Sequence, residues 1–169
     1  MVLRSKRTRK RVPDRFERRM VERLLEPDLT ELRPKNHGVL SIVDFSAVAS
    51  AVAKSPGVKV LYLQAQELLD DEALAAIAAA LVANPQVTGI NLGELAAVSP
   101  AGWADFVAAV PSTALIDCYA QQSCGGPSEA VGFALKMAIM RNRERAGALT
   151  GKHPSMWRTA DYGLASRPQ

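Results

Sequence analysis

Thiols and imidazoles, the side chains best suited to nucleophilic catalysis and to zinc, are few in this chain: two cysteines, Cys118 and Cys124, and two histidines, His37 and His153. A thiol nucleophile needs a base to take its proton, and a structural zinc needs four ligands at short spacings. Neither histidine lies near either cysteine in sequence, so no catalytic residue, metal or cofactor is expected and the chain is read as a non-enzyme. The glycine-bearing run Cys124-Gly125-Gly126-Pro127-Ser128 stands before a helical segment, where backbone N–H groups can meet an anion. No Walker lysine follows it and no G-x-G-x-x-G occurs, so it reads as a turn. Two cysteines cannot make the disulfide framework of a small secreted domain, and both are expected to be reduced.

A second chemistry is electrostatic. Arg4, Lys6, Arg7, Arg9, Lys10 and Arg11 crowd the start of the chain, and residues 1–25 carry ten Lys/Arg against Asp14, Glu17 and Glu22, a charge of +7. The whole chain has a net charge of +4, so the rest carries −3 and attraction to polyanions is concentrated in this arm. The arm has the composition of a nuclear localisation signal or of a nucleic-acid contact, whose phosphate contacts would be salt-sensitive and without sequence preference. A solvated tail without a role is the third reading. Its acids argue against a transit peptide, no apolar signal segment is present, and nowhere do about 18 apolar residues run together. An intracellular protein, nuclear or cytoplasmic and away from membranes, is expected.

What must position any binding surface is the middle of the chain, which repeats itself. Val58, Leu61 and Leu63 fall 29 residues before Val87, Ile90 and Leu92, and Leu74, Ile77 and Leu81 fall 29 before Trp103, Phe106 and Val110. One step back, Phe45, Val48 and Val52 extend the helical set, Leu29 and Leu32 the strand set, and Pro56 precedes Pro85 by the same distance. Beyond Pro85 the prolines and apolar positions match at 26 instead: Pro85 to Pro111, Ile90 to Ile116, Leu92 to Cys118, which implies a three-residue deletion between helix and strand. Each unit reads as a short strand, a polar turn and an amphipathic helix, capped by Asp70 and Asp71 or by Ser99-Pro100. A last helix follows Pro127 and Ser128 with Val131, Leu135, Ala138 and Asn142 on one face. Units this short cannot bury a core alone and must stack.

Val58-x-x-Leu61-x-Leu63-x-x-Gln66-x-Leu68 resembles the leucine-rich-repeat signature, and Asp71 to Leu81 with Asn84-Pro85 is similar to the helical half of its ribonuclease-inhibitor-like subclass. The resemblance covers residues 29–146 as a short array. It departs where the signature has Asn or Cys, because Gln66, Leu95 and Gln121 stand there and the usual side-chain ladder at that turn is lost. The first unit is the poorest, with Pro34 at an apolar strand position, which suits only an edge strand. The resemblance implies an α/β solenoid, with parallel strands on the concave face, helices on the convex face and flexible termini. It places Lys59, Tyr62, Gln64, Asn91, Glu94, Asp117 and Tyr119 on the solvent side of the strands as a protein-binding surface. Tyrosine suits such a role because it offers much contact area for little entropy.

The expected organisation is a disordered basic arm at 1–13, an N-terminal helix at 14–28 capped by Asp14 and carrying Phe16, Met20, Val21, Leu24 and Leu25, repeats at 29–146, and a cap or tail at 147–169. In that last segment Met156, Trp157 and Tyr162 either fold back over the final repeat or form a linear binding element. Arg141-Asn142-Arg143-Glu144-Arg145 needs no role beyond favourable charge at a helix C-terminus. The function expected is a protein-interaction module with one unnamed protein partner, and self-association is open. The alternative is a nucleic-acid-associated protein binding through its arm, in chromatin or an RNA–protein complex.

Overall fold

The 29-residue spacing reappears as hydrogen-bonded register in a computed structural model, which describes residues 15–33, 44–120 and 126–147. Among the described residues five α-helices and four strands follow one another: α1 Arg15–Leu24, β1 Glu31–Leu32, α2 Phe45–Lys54, β2 Val60–Tyr62, α3 Asp71–Ala83, β3 Gly89–Asn91, α4 Pro100–Ala109, β4 Asp117–Tyr119 and α5 Glu129–Arg145. The strands form one parallel sheet in chain order, β1-β2-β3-β4, with Leu32 opposite Leu61 and Leu61 opposite Ile90. Among the described residues α1 packs on α2, α2 on α3, α3 on α4 and α4 on α5. Asp14, Phe16, Pro34, His37, Gln121, Cys124, His153 and the basic arm residues Arg4, Lys6, Arg7, Arg9, Lys10 and Arg11 lie outside the described residues or their described side chains.

The core is built mainly on residues that the repeat aligns. Phe45, Val48 and Val52, then Leu74, Ile77 and Leu81, then Trp103, Phe106 and Val110 are all buried, together with Leu61, Leu63, Ile90 and Leu92 between helices and sheet. Trp103 and Phe106 meet edge to face, with ring centres 6.2 Å apart. From α1, Met20 and Leu24 enter this core, while Leu25 is exposed because the helix ends one residue earlier. Leu68, expected in the core, is 49% exposed, and Leu69 is buried in its place after the Leu69 amide donates to the Gln66 carbonyl.

The expected 26-residue step is corrected to 28. Gly89 pairs with Asp117 and Ile90 with Cys118, so the residue matching Val87 is the buried Leu115, and Thr113 and Ile116 do not take the places of Val87 and Ile90. Pro111 causes the mismatch: α4 tightens into a 3₁₀ turn over Val110–Ser112, putting this proline inside the helix end rather than after it, where Pro85 lies. A slip of two residues preserves the in-out alternation of a strand, so the face assignment of Asp117 and Tyr119 survives it.

The lost ladder is replaced by another. Ser55, Asn84, Thr113 and Asn142, each 29 residues from the next, are all buried polar side chains at the helix ends. Asn84 Nδ2 donates to the carbonyls of Val52 and Ser55 at 2.7 and 2.9 Å, and Asn142 Nδ2 donates to those of Val110, Thr113 and Leu115 at 3.0, 3.3 and 2.8 Å. Helix C-termini leave carbonyls without partners, and here the following unit supplies them. At the opposite helix ends Asp70, Ser99 and Ser128, again 29 apart, accept from Ala73, Gly102 and Val131 amides. Asp71 reaches across units, accepting from the Ser99 amide at 2.7 Å and hydroxyl at 2.6 Å. Gly102 keeps this bridge open, since a Cβ there would collide with the Asp71 carboxylate.

Candidate functional site: the tyrosine-bearing sheet face

Parallel register lines up side chains of equal phase across the sheet. Tyr62, Asn91 and Tyr119 stand in one row, and Glu31, Val60, Gly89 and Asp117 in the row before it. Arg33, just after β1, joins the tyrosine row from the side. Its guanidinium lies 3.9 Å from the Tyr62 ring centre and donates to the Tyr62 hydroxyl at 2.7 Å. Its Nε also donates to Glu31 at 2.8 Å, so Glu31, Arg33 and Tyr62 form one tied cluster. Arg33 and Glu31 keep 45% and 42% of their side-chain surface exposed, leaving the cluster open to a partner.

The residues between the tyrosines are constrained differently from the expectation. Asn91 and Asp117, expected to point to solvent, are buried. Asn91 is on an inner strand with a tyrosine in register on each side, and its Oδ1 accepts from the Gly93 amide at 3.0 Å. The Tyr119 ring covers this point: it would lie 3.0 Å from a Cβ at Gly93, a contact that only glycine avoids. Asp117 sits at the outer strand, where Arg143 of α5 reaches the edge with Nη2 at 3.7 Å from its carboxylate and Nε at 2.5 Å from the Ile116 carbonyl. Lys59 is exposed but shares strand phase with Leu61, out of row with Tyr62. Glu94 is in the turn after β3 at φ 60°, the position that Ala65 occupies at φ 55° one unit earlier, and it borders a shallow depression with Glu67 rather than the sheet face. Gln64 is partly buried and follows Tyr62 beyond the end of β2.

The face therefore brings together Tyr62, Tyr119 and Asn91 from the expected set, adds Glu31 and Arg33, and sets Lys59 and Glu94 apart. The repeat offset that placed Leu32 opposite Leu61 also places Arg33 beside Tyr62, so the signal for the added pair was present in the sequence. Chemically the cluster suits recognition. A guanidinium fixed on an aromatic ring is a preorganised polar and apolar platform, and Tyr and Arg are the residue types over-represented among binding hot spots.

Of the two cysteines and two histidines, Cys118 alone lies among the described residues. Burial, aided by the neighbouring Asp117 charge, pushes the Cys118 thiol up to about 12, so at neutral pH it is protonated and a poor nucleophile. Among the described residues no three His, Cys, Asp or Glu side chains gather as a metal site, and no helix is long and apolar enough to cross a membrane.

No family model matches the sequence, and no curated protein matches it. Solved structures do. The tropomodulin C-terminal domain of Caenorhabditis elegans is similar over 78% of this chain and 95% of its own, with 15% identity and a TM-score of 0.58. The actin-binding site 2 domain of leiomodin-1 is similar over 80% of this chain and 94% of its own, with 14% identity and a TM-score of 0.50. At these identities the likeness concerns the fold, a mixed α/β arrangement of leucine-rich-repeat type with a parallel four-stranded sheet.

Proposed function

We propose that this chain is a non-catalytic protein-interaction module, a short solenoid of the ribonuclease-inhibitor-like subclass whose concave sheet face binds a partner through Arg33, Tyr62 and Tyr119. The observation that carries the reading is the row in which Arg33 stacks on Tyr62 and Tyr119 stands one strand beyond Asn91. Gln64 borders the same face, and Asn91 acts by holding Gly93 beneath Tyr119. Lys59 and Glu94 stand apart from this row and are not assigned to it. The helical second half of each unit, from Asp71 to Ala83 above all, supports the subclass.

Actin is the first partner to test, because one structural neighbour is an actin-binding site. Nucleic-acid binding through Arg4, Lys6, Arg7, Arg9, Lys10 and Arg11 finds nothing in the comparisons to favour it, and those residues lie outside the described part of the chain. The test is actin affinity by co-sedimentation and by monomer titration, for the intact chain and for Tyr62→Ala/Tyr119→Ala. A hot-spot pair costs about 2 kcal/mol or more, so affinity should fall by at least about 30-fold. Equal binding by both proteins removes the face from the account, and absence of binding by the intact chain removes actin.

A further inference from the structure

The outer end of the stack carries an open groove of about 420 Å³ between β4 and α5, lined by Cys118, Ala120, Leu135, Ile139 and Met140 with Lys136 at its rim. In the inner units the corresponding side of each strand is occupied by the next strand: the Lys59 carbonyl accepts from Thr88 and the Thr88 carbonyl from Ile116. At the Ile116 carbonyl that place is taken by Arg143 Nε at 2.5 Å. A fifth strand in register would have to displace this guanidinium and its contact with Asp117. The groove is thus closed to continued strand pairing while its apolar floor stays open, with Met140 37% exposed.

The helix above the groove also ends differently from its predecessors. α2 and α3 stop immediately before their ladder residues, Ser55 and Asn84, whereas α5 runs through its ladder residue Asn142 to Arg145. There Gly147, at φ 66°, donates its amide to the Glu144 carbonyl and reverses the chain, as a left-handed C-cap glycine does. Beyond Gly147 the sequence is apolar mainly at Met156 and Trp157, with Leu149, Tyr162 and Leu164 around them. Ten residues from Gly147 to Trp157 span up to about 33 Å, and the groove's far end at Gly132 is about 22 Å back along α5. Trp157 can reach every part of it.

We propose that the Met156-Trp157 segment docks into this groove, filling it with side chains rather than with a fifth strand, and so caps the array. A solenoid end needs such a cover, because its last unit has no neighbour to bury its apolar side. The experiment compares tryptophan emission of the full chain with that of Trp157→Phe; the difference spectrum is Trp157 alone, and the buried Trp103 cancels. Docking predicts blue-shifted emission for Trp157, protected from acrylamide, and a shift to solvent-type emission in Met140→Glu, a surface change that leaves the far-ultraviolet circular dichroism unaltered. Solvent-type emission in the unmodified chain overturns the proposal. So does protected emission that Met140→Glu leaves unchanged, since Trp157 would then be buried elsewhere or against another molecule.

Discussion

Replacing Asn84 by Ala tests whether the ladder at the helix ends binds the units to one another. The substitution removes two donors and an acceptor at once: Nδ2 to Val52 O at 2.7 Å, Nδ2 to Ser55 O at 2.9 Å, and the Gln86 amide to Oδ1 at 3.0 Å. Asn84 is 4% exposed, so water cannot easily take its place on the carbonyls. Counting about 1 kcal/mol for each hydrogen bond, with more where a buried group is orphaned, the loss should be about 3 kcal/mol. Against a domain stability of about 5–15 kcal/mol that is a large fraction. Urea unfolding followed by circular dichroism measures it, and the midpoint should fall at unchanged slope if the native state keeps its extent. Asn84→Asp should cost more, because it keeps the shape, removes both donors and leaves a buried carboxylate facing two carbonyl oxygens. A loss under about 0.5 kcal/mol for Asn84→Ala, the range of ordinary surface changes, would refute the reasoning.

Further outcomes follow from other contacts. Gly57→Ala should destabilise by about 2 kcal/mol or more, since a Cβ there collides with the Pro27 carbonyl and would stand 2.9 Å from that of Leu29, and calorimetry should show it. Glu94→Gly should raise stability by about 0.5–1 kcal/mol in urea unfolding, because it relieves a left-handed conformation at φ 60° that glycine adopts freely. Hydrogen bonds from the Ser99 hydroxyl and amide hold the Asp71 carboxyl below its usual range, so the stability it adds is present above the ordinary carboxylate pKa and is lost as pH falls through its depressed folded value; Asp71→Asn should flatten that part of a stability–pH curve. Cys118 runs the other way: its raised pKa means that the folded state holds the proton longer, so stability should decline as pH rises from about 8.5 toward about 12, and Cys118→Ala should reduce the slope.

The helical half of the repeat was readable because its apolar residues recur at 29 and its caps are oxygen-bearing side chains whose geometry is local. Strand register at β4 was not, because Pro111 lies within a 3₁₀ turn whereas Pro85 follows its helix. Leu68 and Leu69 could not be separated by pattern, as adjacent leucines exchange roles when a turn rotates by one residue. The signature's ladder is lost at Gln66, Leu95 and Gln121, and the one at Ser55, Asn84, Thr113 and Asn142 has an equal spacing that shows among polar rather than apolar positions. For the candidate site, alternation gave Tyr62 and Tyr119, but burial of Asn91 and Asp117 comes from neighbouring strands and from Arg143, which no single strand records. Arg33 follows the weakest strand, where the apolar pattern is faintest, although the offset of 29 pairs it with Tyr62.

The central claim is that the sheet face, rather than the basic arm, carries partner binding. Partner capture should be compared for the intact chain, for a chain lacking residues 1–13, and for Tyr62→Ala/Tyr119→Ala, each at low and high salt and with nuclease. The arm deletion stops before α1 because Met20 and Leu24 belong to the core. The account predicts a protein partner that survives arm deletion, salt and nuclease and is lost with the two tyrosines; loss with the arm, salt or nuclease and retention without the tyrosines would contradict it.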